Sequence, residues 1–248
     1  MKKKIILIIS GHDPTGGAGI TADIETANYF NFHSVSILTC STIQNTYGVL
    51  EVNKMPENYI YKSFLAIIKE FEIDVIKIGL LPNIKASKEV MKIINHKKTT
   101  GVPIIIDPII KSGGNDILTS DNNLRFLIKN IYPRAYLITP NNYEYGIIEK
   151  NIISFKNIII TDYEITSKLI TLKLKEDSLK KERKFTVRLI NKNFHGTGCT
   201  FSTAIACNIA MQHKIEKSIR IALTYIQKTI LSSKLSGAQQ SFLNRDLK

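Results

Sequence analysis

The sequence predicts an α/β fold: a central, mostly parallel sheet with helices on both faces. Two observations carry this expectation. Short runs rich in Ile and Val show no polar alternation, as strands buried on both faces do. Longer mixed segments with helical patterning separate them, and that alternation marks wound α/β sheets. Right-handed crossovers then gather the strand ends and their loops on one side, where ligands bind.

The elements follow in order. Residues 5–9 form the first strand, and 19–30 the first helix, with Ala18, Ala22, Ala27, Ile20 and Ile24 on its apolar face. Strands are expected at 34–39, 75–78, 103–106, 135–138 and 157–160, with helices at 56–71, 85–97 and 122–130. Residues 165–174 and 185–190 read as antiparallel strands around a charged, solvated turn at 175–184. Small apolar residues at 201–211 form a helix, and 216–232 closes the chain as another. No internal repeat is present, and residues 1–248 are expected to form a single domain.

Composition narrows the function classes. A net charge of +13 comes from dispersed lysines rather than from one basic block with interleaved aromatics. It suits anionic small molecules, and no nucleic-acid-binding module is found. No apolar stretch reaches the roughly 18 residues that span a bilayer. The start of the chain reads as a buried strand rather than a signal, so no membrane association and a cytoplasmic location are expected. Cys40, Cys199 and Cys207 show neither metal nor disulfide spacing.

The richest motif is His195-Gly196-Thr197-Gly198-Cys199-Thr200. Glycines let successive amides point the same way, and the free N–H groups at a helix start attract negative charge. A phosphoryl group in transfer is the charge such amides stabilise. The helix start is also expected to favour the Cys199 thiolate. Cys199 would accept a proton from an attacking hydroxyl or approach it as a polar group; alternatively, the run is a glycine-rich turn before a core helix.

Ser10-Gly11-His12-Asp13-Pro14-Thr15-Gly16-Gly17-Ala18-Gly19 follows the first strand and opens a helix. Its spacing fits neither a dinucleotide fingerprint nor a Walker A loop. Asp13 either meets a ligand or caps local backbone. Asp23, one turn into the helix, either looks back at the ligand or is a first-turn charge. Gln44 and Asn45, placed in a loop, suit a heterocyclic ring because an amide both donates and accepts. Asn141 and Glu144 either hold magnesium through water or start a helix. Lys111 either balances phosphate charge or belongs to a surface turn.

Together these stretches resemble the hydroxymethylpyrimidine and phosphomethylpyrimidine kinases, of the ribokinase-like superfamily. The resemblance extends through Gln44-Asn45-Thr46, Lys77-Ile78-Gly79-Leu80-Leu81, Asp107-Pro108, Lys111-Ser112-Gly113 and Thr139-Pro140-Asn141. It implies a ribokinase-like three-layer αβα sandwich and a homodimer. The implied reaction moves the ATP γ-phosphoryl group, with Mg2+, to 4-amino-5-hydroxymethyl-2-methylpyrimidine and then to its monophosphate. Asp23 and Gln44 would hold the ring, and Gly11 and Leu80 would line its pocket. Lys111, Asn141, Glu144 and Thr197 would meet the nucleotide, with Glu144 and Asp107 toward the metal. Gly196, Thr197 and Gly198 would form the anion hole, and Cys199 stands where most of the superfamily carries an aspartate base.

One departure stands out. Where the family has a Lys-Gly-Gly-His stretch near the nucleotide, this chain reads Thr161-Asp162-Tyr163-Glu164. Two alternatives therefore accompany the kinase expectation: a pyridoxal or pyridoxine kinase, and a pyrimidine-binding protein with an impaired nucleotide site.

Overall fold

In the computed structural model, residue alternation along the central strands explains the architecture. Ile5, Leu7 and Ile9 of β1 (Ile5–His12) face one core, while Ile6 and Ile8 face the other. Ile76 and Ile78 of β4 (Val75–Ile78), and Ile104 and Ile106 of β5 (Ile104–Ile106), join the first core. Val75 and Ile105 join the second. A strand buried on both faces cannot afford polar alternation, which is why these runs are continuously apolar. The structure describes all residues except 1, 113, 115, 152–154, 177–180 and 248.

The remaining strands are β2 (His33–Gln44), β3 (Val49–Lys54), β6 (Leu137–Ile138), β7 (Asn157–Ile165), β8 (Leu169–Glu176), β9 (Lys181–Arg188), β10 (Phe194–His195) and β11 (Ser241–Phe242). The helices are α1 (Gly19–Tyr29), α2 (Tyr59–Ile67), α3 (Ile84–Ile94), α4 (Asp121–Phe126), α5 (Asn142–Glu149), α6 (Thr197–Ala210) and α7 (Ile215–Leu231). Among the described residues a nine-stranded sheet runs β3-β2-β1-β4-β5-β6-β7-β8-β9. Its centre, from β2 to β7, is parallel; the β2–β3, β7–β8 and β8–β9 pairs are antiparallel. Buried residues of α2 to α5 pack on one face, and those of α1, α6 and α7 on the other. This is the three-layer αβα sandwich expected of a ribokinase-like chain. No helix among the described residues is long and apolar enough to cross a membrane.

The structure corrects several boundaries. β2 continues past residue 39 to Gln44 because β3, absent from the sequence expectation, pairs back on it from Cys40↔Lys54 to Gln44↔Val49. Gln44 therefore ends a strand rather than sitting in a loop. Helix α2 starts at Tyr59 rather than residue 56. Glu89 of α3 accepts the Asn58 and Tyr61 amides at 2.8 and 2.9 Å, a tertiary cap that local sequence does not contain. The charged turn at 175–184 is largely strand: Lys173↔Lys184 through Glu176↔Lys181 are paired, and residues 177–180 lie outside the described set. Cross-strand ion pairs, Lys173–Glu182 at 2.6 Å and Glu176–Arg183 at 3.1 Å, accommodate its charges.

Phe64 is fully buried on α2, packing edge-on against His96. Phe64→Ala is expected to destabilise the protein by about 3–5 kcal/mol, as core Phe truncations do. Urea unfolding checks this, with a lowered midpoint and an unchanged slope.

Candidate active site

The parallel strands end on a common side of the sheet. There a cavity of about 550 Å³ opens, lined from the loops after β1, β4, β5 and β6, from Thr161 and Asp162 within β7, and from the start of α6. Of the residues selected from sequence, Gly11, Gln44, Leu80, Asp107, Lys111, Asn141, Glu144 and 196–199 all line it.

Its centre is the first turn of α6. Gly196 is the N-cap residue, in the left-handed region at φ 76°, and no side chain caps the helix. The amides of Thr197, Gly198 and Cys199 are thus left for an anion, with the helix dipole behind them. Gly196 has no room for a Cβ, which would stand 1.9 Å from the Gly17 carbonyl oxygen. The loop after β1 is therefore pressed directly against the helix start.

Asp13 organises that loop. Its carboxylate accepts the amides of Thr15 and Ala18, each at 2.8 Å, and the Thr15 hydroxyl. Its Oδ2 lies 2.7 Å from His195 Nε2, tying the loop to the strand that precedes α6. Burial would raise its carboxyl, but the hydrogen bonds from His195, Gln44 and Thr15 outweigh this and hold it well below the usual range. Asp13 thus caps local backbone, as one of the two sequence alternatives had it, and pairs with His195, while it also lines the cavity.

Asp23 corrects an expectation. It does not look back on the ligand: it is fully buried and is not among the cavity-lining residues. Both carboxylate oxygens accept from Lys77 Nζ at 2.8 Å, and Oδ1 also accepts from Thr203 at 2.7 Å. The inward face of α1 at this position meets β4 and α6, so the carboxylate finds the Lys77 ammonium instead of solvent. Burial on its own would lower the Lys77 ammonium, yet Asp23, with lesser contributions from Cys199 and Asp107, raises it above its ordinary value. A lysine inside a β-strand run gives no sequence signal beyond its interruption of an apolar stretch, and the sequence reading gave it no role.

Asp107 extends this buried network into the cavity. Its Oδ2 is 4.0 Å from Lys77 Nζ and accepts from Ser202 at 3.4 Å. Burial lifts its carboxyl above the ordinary range, Lys77 opposes that, and Asp23 adds to it. Cys199 hydrogen-bonds to Asp107 and receives the Gly19 amide. The expected thiolate is a second correction: burial pushes the Cys199 thiol up to about 12, only partly opposed by Lys77.

Asn141 and Glu144 form a capping box at the start of α5: the Asn141 side chain accepts the Glu144 amide, and Glu144 accepts the Asn141 amide at 3.0 Å. The other Glu144 oxygen accepts from Ile110 N at 3.2 Å. Burial first, then the Asp107 charge, push its carboxyl up to about 8 despite those amides. Among the described residues no group of three His, Cys, Asp or Glu side chains is arranged to hold a metal ion. An Mg2+ ion here would have to keep its waters and phosphate ligands, as that ion ordinarily does. Lys111 holds its ammonium 4.2 Å above the Tyr143 ring at the cavity edge.

The donor set fits a nucleotide. The uncapped amides suit phosphate, and Leu172, Val187, Leu223 and Ile226 build an apolar wall suited to a base. Ser10 is among the lining residues, but its hydroxyl is buried and has no protein partner. Thr161 and Asp162 line the cavity too, and Asp162 accepts the Asn142 amide.

This site lies at the carboxyl edge of a ribokinase-like sheet and faces an uncapped helix, an arrangement suited to phosphoryl transfer. Comparison with known proteins is specific. The chain belongs to the phosphomethylpyrimidine kinase family, whose model matches residues 13–243. It is 32% identical to a hydroxymethylpyrimidine/phosphomethylpyrimidine kinase of Aquifex aeolicus, over 94% of this chain and 96% of that one. A crystal structure of phosphomethylpyrimidine kinase from Clostridium difficile 630 superimposes with TM-score 0.77 at 25% identity, covering 92% of this chain and 100% of that one. Bacillus subtilis pyridoxal kinase, solved as an ADP complex, gives TM-score 0.86 at 21% identity over 98% of each chain; that likeness is one of fold.

Two outcomes are expected. A thiolate absorbance titration, compared with Cys199→Ser, will show no Cys199 ionisation below about pH 9, since the thiol is desolvated. Glu144 keeps a proton in the folded state up to about pH 8, whereas its ordinary value is 4.5. The folded state then binds more protons than the unfolded chain across that window. Stability contributed by this group is lost as pH rises through it, by at most about 1.4 kcal/mol per pH unit. Glu144→Gln flattens that slope in urea unfolding at stepped pH.

Proposed function

We propose that this chain is an ATP-dependent kinase of 4-amino-5-hydroxymethyl-2-methylpyrimidine and of its monophosphate, acting as one domain over residues 1–248. The observation that carries the reading is the uncapped start of α6, open to the cavity and pressed against the loop after β1. Family membership and the Aquifex relative, named as a kinase of both substrates, support the choice of acceptor.

In this reading Gly11, Gln44 and Leu80 place the ring. Thr39 Oγ1 donates to the Leu80 carbonyl at 2.6 Å, which fixes the backbone at the pocket wall. The alcohol oxygen bonds to the γ-phosphorus as the bond to the ADP oxygen breaks. The amides of Thr197, Gly198 and Cys199 stabilise charge on the transferring group, and little covalent work falls to the protein. The alcohol proton passes to the Cys199 sulfur while the thiol proton moves toward Asp107, so no preformed thiolate is required. Lys111 adds positive charge beside the phosphates; Glu144, ionised by the cation's own charge, and Asn141 would hold hydrated Mg2+, which would supply charge neutralisation, and Asp107 is left to take the thiol proton.

A homodimer belongs to this reading; exposed Ile43, Tyr47 and Leu50 on and beside the β2–β3 hairpin support it. A second reading, a pyrimidine-binding protein with an impaired nucleotide site, has one observation in its favour. Asp162 brings a carboxylate to the cavity wall in the stretch where the family carries a lysine.

ADP release should require both the aminopyrimidine alcohol and Mg2+, with a kcat/KM above that for pyridoxal. Gly198→Pro should lower kcat at least about a hundredfold, since removing one oxyanion-hole donor typically costs that much. Absence of turnover with the alcohol and with its monophosphate, alongside tight pyrimidine binding and no ATP binding in calorimetry, would establish the second reading instead.

A further inference from the structure

Arg245 lies in the C-terminal tail, just past residue 243, where the family match ends. Its side chain is nevertheless buried, at 4% exposure. Arginine is almost never fully buried without partners, so each donor there should be accounted for.

The partners lie along the seam between the loop after β1 and the start of α6. Arg245 Nε donates to Thr200 Oγ1 at 2.9 Å. Nη1 donates to the Gly16 carbonyl at 3.3 Å and to Glu25 Oε2 at 3.0 Å. Nη2 donates to the Gly17 carbonyl. The Thr200 hydroxyl in turn donates to the Gly196 carbonyl at 2.8 Å. The Arg245 carbonyl accepts from the Tyr225 hydroxyl at 3.1 Å, which fastens the tail to α7. Arg245 does not itself line the cavity.

Glu25, the single carboxylate among these acceptors, is half exposed. The other acceptors belong to the two segments that form the site. The Gly17 carbonyl presses against Gly196, beside the amides that await an anion. A carbonyl oxygen in that position carries the wrong sign and would compete for those amides. A planar guanidinium can hold two such carbonyls and a hydroxyl at fixed angles; an ammonium cannot.

We propose that Arg245 is a positioning residue for phosphoryl transfer: it turns the Gly16 and Gly17 carbonyls away from the anion-binding amides and locks the acceptor loop in register with them. The kinetic consequence rests on the kinase reading above; the geometric content stands without it.

The test uses the full chain carrying Arg245→Ala or Arg245→Lys, with three readouts. Amide exchange is expected to accelerate locally at residues 15–18 and 196–200, leaving β1 and β4 protected as in the parent. kcat for the alcohol is expected to fall about tenfold to a hundredfold with KM nearly unchanged, as misplaced reacting groups cost rate rather than affinity. Added guanidinium should restore part of the activity of Arg245→Ala, and Arg245→Lys should fall between the parent and the alanine variant. The proposal is overturned if a folded variant keeps kcat within about twofold. It is also overturned if exchange is unchanged or accelerates uniformly. If Arg245→Ala does not fold, Arg245→Lys takes the same exchange and kinetic tests. If the parent itself shows no turnover, the kinase reading fails, and the exchange pattern alone decides the positioning role.

Discussion

The site depends on one close backbone approach. Gly17 and Gly196 meet so tightly that neither tolerates a side chain: a Cβ on Gly196 would lie 1.9 Å from the Gly17 carbonyl oxygen, and one on Gly17 would lie 2.1 Å from the His195 ring. Gly196 also needs its left-handed backbone to turn the chain from β10 into α6. These constraints set the open amides of the helix beside the loop that follows the first strand. The Asp13–His195 contact reinforces the same join from the other side.

Beneath that join lies a buried charge network contributed by several elements. Lys77 comes from β4, Asp23 from α1, and Thr203 from α6, with Asp107 at the end of β5. Buried pairs of this kind add little net stability, because desolvation offsets most of their attraction, yet losing one partner is costly. Their consequence here is geometric: β4, α1 and α6 are held in fixed relation directly under Cys199. The same burial raises the Cys199 thiol, which is hydrogen-bonded to Asp107.

The two halves of the cavity differ in character. One half is assembled from tightly bonded loops and from Gln44 at the end of a long hairpin strand. The other half has an apolar wall from β8, β9 and α7, with Asp162 of β7 beside it and Lys111 resting on Tyr143. Lys111, Arg188 and Lys192 bring positive side chains to this cavity, and the dipole of α6 adds to them, whereas the end of β7 contributes the Asp162 carboxylate.

Much of the fold was legible because it is local. Continuous Ile and Val runs can only be strands covered on both faces, and β1, β4 and β5 follow that rule closely. The glycines around the helix start likewise marked a turn into a helix, and Gly196 is needed there for its positive φ and its close approach to Gly17. What the linear pattern could not decide was which way polar side chains turn once elements pack. Asp23 reads identically whether it meets ligand or Lys77, and only the packing of α1 on β4 and α6 chose the lysine. The Cys199 thiol depends on how much solvent its neighbours exclude, and Gln44 became a strand residue because β3 folded back to pair with it. Arg245 shows the limit most clearly. A tail arginine carries no local signal, and its burial at the seam exists only after residues more than 200 positions apart have come together.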